Sequence, residues 1–133
     1  MDSTYAFDTG FVSFARGWDS IREEDRGVLW EHLVLDYLRT ALDPGRLYFW
    51  RDKSDRQVDF VIRRPAETVD AVECKFNPDH LDAASLHAFR AAYPKGRNYV
   101  VSPLVKKSYV REHRGLRISY CGFSDLSALF GPP

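Results

Sequence analysis

Between Trp30 and Ala41 the apolar residues recur at helical spacing. Trp30, Leu33, Val34, Tyr37, Leu38 and Ala41 share one face, which predicts a helix from about Asp25 to Leu42. Asp43-Pro44-Gly45 stops it. Shorter apolar runs follow, and they read as strands over Leu47 to Arg51, Gln57 to Arg63 and Val69 to Phe76. Their connections, Asp52-Lys53-Ser54-Asp55 and Pro65-Ala66-Glu67, are short enough for an antiparallel meander. Asn77-Pro78-Asp79 then caps a predicted helix from about His80 to Tyr93, with Leu81, Ala84, Ala88, Phe89 and Ala92 inward. Pro94-Lys95-Gly96 ends it. A strand over Asn98 to Val101, entered through that helix, should run parallel to the third. Leu116 to Cys121 is a fifth strand, and Ser124 caps a last helical turn through Leu129.

Upstream, Tyr5-Ala6-Phe7 reads as a short strand closed by Asp8-Thr9-Gly10, while Phe11 to Trp18 suits a short helix without requiring one. The expected order from the long helix onward is α-β-β-β-α-β-β-α. This is an α/β domain with a mixed central sheet flanked by helices.

Bulk properties narrow the class only slightly. With 133 residues the chain makes one domain, 1–133, and its 44% hydrophobic and 29% charged content is that of an ordinary globular protein. No apolar run approaches a membrane span, and Met1-Asp2-Ser3-Thr4 lacks the features of a signal peptide. Cys74 and Cys121 fall in predicted strands and read as reduced, buried thiols of a cytoplasmic protein. Cationic and anionic residues balance at 19 each, which argues against strong nonspecific affinity for nucleic acid. Their distribution is uneven. From Lys95 to Arg117 there are seven basic residues against Glu112 alone, and up to Asp43 nine acids against four arginines. Such a skew reads equally as a phosphate-facing side and as solvated surface.

Chemistry is concentrated on two neighbouring apolar strands. Asp59 lies in Gln57-Val58-Asp59-Phe60-Val61-Ile62, and Glu73 and Lys75 lie in Val72-Glu73-Cys74-Lys75-Phe76. An unpaired charge is costly to bury, so these positions ask for a compensating group. Residues 73 and 75 share a strand face, roughly 6–7 Å apart, and a hairpin makes Asp59 their cross-strand neighbour. Mg²⁺ or Mn²⁺ held by Asp59, Glu73 and the main-chain carbonyl of Cys74 would meet the need. Lys75 could then orient an attacking water or balance charge on a phosphate. Glu31, off the apolar stripe of the long helix, could reach a metal-bound water or hold a second ion. The competing reading is a structural ion pair between Lys75 and one acid.

Around this set the residues are more ambiguous. Arg51 and Lys53 at a hairpin tip, and Lys95, Arg97, Lys106 and Lys107 in the basic segment, are candidate DNA-backbone contacts or plain surface. Tyr48, Phe49 and Trp50 could stack on bases, but their strand position favours the core. His32, His80, His87 and His113 are scattered, with His80 closest to the acids in sequence.

The set Glu31, Asp59, Glu73, Lys75, in the order α-β-β-β-α-β, resembles the restriction-endonuclease-like PD-(D/E)xK superfamily, and within it the archaeal Holliday-junction resolvase branch. Four blocks carry a closer resemblance: Tyr5 to Gly10, Gly27 to Val34, Leu47 to Phe60 and Val72 to Lys75. They look like the C-terminal domain of a large prokaryotic family in which an AAA-type ATPase module precedes a nuclease-like domain of unknown function. The resemblance implies a Mg²⁺-dependent DNA endonuclease that can work as a homodimer. It equally allows a non-catalytic DNA- or partner-binding module of an ATPase system. The chain has no Gly-x-x-x-x-Gly-Lys phosphate loop, so the ATPase itself is not expected here.

Overall fold

A computed structural model describes residues 22–131. The expectations for Tyr5 to Gly10 and Phe11 to Trp18 lie outside that range. Helix α1 spans Glu23–Ala41, followed by strands β1 (Leu47–Arg51), β2 (Gln57–Arg63) and β3 (Val69–Cys74). Helix α2 (Ala84–Ala92), strands β4 (Asn98–Val101), β5 (Tyr109–His113) and β6 (Leu116–Cys121), and helix α3 (Leu126–Phe130) complete the order. The strands form one mixed sheet in the order β1-β2-β3-β4-β6-β5. β1, β2 and β3 are antiparallel, β4 runs parallel to both β3 and β6, and β5 pairs antiparallel with β6.

Each sheet face is covered by a different helix. Trp30, Val34 and Leu38, one helical turn apart, bury themselves against Phe60, Ile62, Val72 and Val101, and α3 adds Leu126 and Phe130 to that side. Leu86 and Phe89 of α2 close the other side over Val58, Val61, Ala71, Val100 and Ile118. The central strands are therefore buried on both faces, and all four residues of β4 are buried. The Trp30 indole N–H donates to the carbonyl of Val101 at 2.8 Å, fixing α1 over the end of β4. Cys74 and Cys121 are free and buried on strands either side of β4. Two strand spacings, about 9–10 Å, separate their backbones, too far for a disulfide.

Three expectations need correction. Strand β5 was not anticipated. Only Tyr109-Val110 is strand-like in composition, and Arg-Glu-His follows. The turn carries the signal, because Arg114 (φ 51) and Gly115 (φ 82) make the left-handed pair of a two-residue hairpin. The second long helix begins at Ala84 rather than His80. Pro78–His80 is an isolated 3₁₀ turn, and the Asp82 carboxylate accepts from Ala84 N–H at 3.0 Å where the helix starts. Its buried face is Leu86, Phe89 and Arg90, with Ala84 and Ala92 exposed. At the last helix Ser124 is not the cap: the Asp125 carboxylate accepts from Gly122 N–H at 2.9 Å.

Candidate functional site

The β2–β3 ladder runs from Arg63↔Val69 to Phe60↔Val72 and stops one pair short of Asp59 and Glu73. There side chains take over from backbone. Glu73 Oε1 accepts from the Asp59 N–H at 3.2 Å, and Asp59 Oδ2 accepts from the Cys74 N–H at 2.8 Å. Strand β3 meanwhile stays on β4, with Glu73 opposite Val100 and the Lys75 N–H bonded to Val101 O at 3.1 Å. The two acids thus occupy the fork where β2 parts from β3. The N–H and C=O of one strand residue face the same way. The Cys74 N–H points to Asp59, so its carbonyl lies on that side as well.

A bulge sets the fork. Tyr48 pairs with Val61 and Trp50 with Val58, so Phe49 alone opposes both Asp59 and Phe60. Strict alternation would put Val58 and Phe60 on one face. Instead Val58 joins the α2-side core and Phe60 the α1-side core. Asp59 sits at this break.

Burial and mutual repulsion dominate the electrostatics of the pair. Glu73 is 5% exposed. Burial first, and then the charge of Asp59, push its carboxyl up to about 8. Asp59 is also raised, mainly by burial, with the Cys74 amide and the charge of Lys75 opposing. Glu31 is raised by partial burial and then by Asp59. Among the described residues neither acid forms an ion pair, so the structural pair with Lys75 is not made. Each carboxylate has one oxygen engaged by a backbone amide. No side-chain oxygen among the described residues is both fully buried and unpartnered, so neither carboxylate's second oxygen is completely sealed from solvent. Among the described residues no three His, Cys, Asp or Glu side chains gather as ligands for one ion.

Glu31 and Asp59 line a cleft of about 380 Å³ with Phe49, Trp50, Arg51, Gln57 and Val58. Here a further expectation is corrected. Tyr48 and Phe49 are 43% and 64% exposed rather than buried in the core, because β1 is an edge strand. Trp50 alone turns in, edge-on to Phe89 at 5.4 Å.

The basic candidates separate. Arg51 lies in the cleft and donates to Gln57 Oε1 at 3.0 Å, and Lys53 is exposed on the adjoining turn. Lys106 and Lys107 are exposed beyond the C-terminal end of β4, on the same end of the sheet. Lys95 and Arg97 precede β4 at the opposite end, where the Arg97 N–H binds Asp70 at 2.9 Å. His80 hydrogen-bonds Asn77 at 3.4 Å, and His87 and His113 interact with β5 and β6 away from the fork.

A family described as a domain of unknown function, DUF4143, matches residues 26–120, which take in most of α1, the fork and nearly all of the strands beyond it. The chain belongs to this family. Glu31, Asp59, Glu73 and Lys75 all lie within the DUF4143 match. A search of curated proteins finds no match. Among solved structures, a chain in the refined half-complex from the tetradecameric assembly of Thermococcus gammatolerans McrB AAA+ hexamers with bound McrC is similar. It covers 72% of this chain at 15% identity and a TM-score of 0.44, and this chain spans 27% of its length. At that similarity it lends no function to this DUF4143 chain. No helix among the described residues is long and apolar enough to cross a membrane.

Proposed function

We propose that this domain hydrolyses phosphodiester bonds in DNA with a divalent cation, Mg²⁺ or Mn²⁺. One observation carries the reading: two acids meet at a fork where, among the described residues, no cation is bonded to either and only one oxygen of each is engaged by a backbone amide. Two hard carboxylates, with the Cys74 carbonyl on the same side, suit Mg²⁺ completed by water and phosphate oxygens. They do not suit a fully protein-caged ion or a nitrogen- and sulfur-seeking one. Asp59, Glu73 and the Cys74 carbonyl would hold the ion, which supplies charge neutralisation and a more acidic bound water. Lys75 lowers both acids through its charge without bonding to them. Its ammonium is therefore free to orient the attacking water and to face the developing phosphate charge. Glu31, raised by partial burial and then by the charge of Asp59, would take up a proton from water in the cleft.

A second reading, a non-catalytic DNA- or partner-binding module of an AAA-type ATPase system, is favoured by the low exposure of Glu73 and its bond to backbone. Cleavage separates the two. On plasmid and oligonucleotide DNA with Mn²⁺, Glu73→Ala and Lys75→Ala should each lower the rate at least about 100-fold, with the far-ultraviolet circular dichroism unchanged. Cleavage that survives Glu73→Ala removes the fork as the hydrolytic site. Retained DNA binding with no Mn²⁺ heat in calorimetry supports the second reading.

A further inference from the structure

We infer that the cleft beside the fork receives an unpaired nucleotide, so that the preferred DNA is single-stranded or splayed at the point of attack. The inference rests on the proposed hydrolysis and names its substrate class. Phe49 is the most exposed large apolar side chain described, at 64%, and it shares a wall of the cleft with Glu31 and Asp59. A phenyl ring left this exposed beside two acids gains little from the core. Its ring meets Phe60 at 5.9 Å, which anchors it and leaves most of its surface open.

The rest of the lining selects the occupant. Arg51, Gln57, Glu31 and Asp59 make four of the seven lining residues polar or charged. An apolar peptide seated there would strip water from those groups without replacing it. A nucleotide offers both halves of the match. Its base has a flat face for Phe49. Its phosphate carries negative charge for Arg51, which uses one N–H on Gln57 and keeps its other donors, and for Lys53 on the adjoining turn. In a duplex both base faces are taken by neighbouring base pairs. Only an unpaired base can lie on Phe49 while its phosphate reaches the fork a strand width away.

The test uses the 133-residue chain carrying Lys75→Ala, to stop turnover, and fluorescence anisotropy at one fixed salt concentration. The probes are labelled oligothymidine of about 20 nucleotides and a duplex of the same length. Oligothymidine should bind at least about tenfold tighter than duplex. Adding Phe49→Ala should weaken oligothymidine binding roughly 5- to 150-fold, the span of one lost aromatic–base stack, and leave duplex binding within about twofold. Phe49→Tyr should restore it. An exposed ring can be removed with little loss of stability, and thermal melting within about 2 °C of the parent checks this. Equal losses on both probes, no loss on either, or tighter duplex binding overturns the inference. Metal-dependent cleavage by the unsubstituted chain that prefers duplex and ignores Phe49 removes the cleft and leaves hydrolysis standing. Phe49-dependent oligothymidine binding without any cleavage does the reverse.

Discussion

Strand β3 buries two acids three residues apart, and the protein treats them in opposite ways. Asp70 is 4% exposed and Glu73 5%. Asp70 is answered from within: Arg64 binds it at 2.9 Å, and the Arg97 N–H binds its other oxygen at 2.9 Å. Arg64 is held in turn by the Leu129 carbonyl. Arg90 braces the same end through Asn98 and the carbonyls of Val69, Tyr93 and Arg97. Gly96 is required there, since any side chain would run into the Val69 carbonyl. Glu73 has a backbone amide, a second acid opposite and no guanidinium. Burial is equal at the two ends, but only at the Asp70 end do the described residues supply a neutralising charge.

The contrast can be broken at either end. The largest expected effect is at the satisfied end. Asp70→Ala should cost about 2–4 kcal/mol in urea unfolding, a value below that of a fully buried pair because Arg64 is 28% exposed. A loss under about 0.5 kcal/mol would erase the distinction between the ends.

At the fork the sign reverses with pH. An acid raised in the fold keeps its proton between about 4.5 and about 8, where the unfolded chain has released it. This contribution to stability is full below 4.5 and is lost as pH climbs towards 8. The unsubstituted chain should therefore lose stability over that window relative to Glu73→Gln, and Glu73→Gln should be the more stable of the two at pH 8. Parallel melting curves from pH 5 to 8.5 check it, and coincident pH profiles would contradict the assignment.

The smallest effect is the most specific. At pH 8, Mn²⁺ at ten times its dissociation constant should raise the melting temperature by about 3 °C or more. The shift should persist in Asp70→Ala and vanish in Glu73→Gln. An equal shift in all three would place the ion elsewhere.

Much of the architecture was legible because it rests on periodicity. Trp30, Val34 and Leu38 announce α1, and the apolar runs of β1, β2, β4 and β6 have the bounds expected of them. Strand β5 was hidden because three of its five residues are polar edge positions. The start of α2 was hidden because Asn77 and Asp82 offer competing caps, and the first closes only a 3₁₀ turn. At the site, Asp59, Glu73 and Lys75 stand out as charges in apolar runs, and the structure brings Asp59 and Glu73 together. The bulge opposite Phe49 leaves no mark in composition, so the outward Tyr48 and Phe49 could not be told from core residues. The partition of basic residues also depends on strand order, since Lys95 and Lys106 are near in sequence and lie at opposite ends of β4.

The mismatch in length between β1 and β2 makes the fork unusually easy to lose. Dropping a single residue from the stretch Val58 to Val61 would let the two strands zip in even step and turn the acid towards whichever side pairing dictates. A descendant could in this way keep every ionisable group and still lose their meeting point. Counting residues across that hairpin is therefore a sharper guide to which relatives retain this fork than checking for the acids themselves.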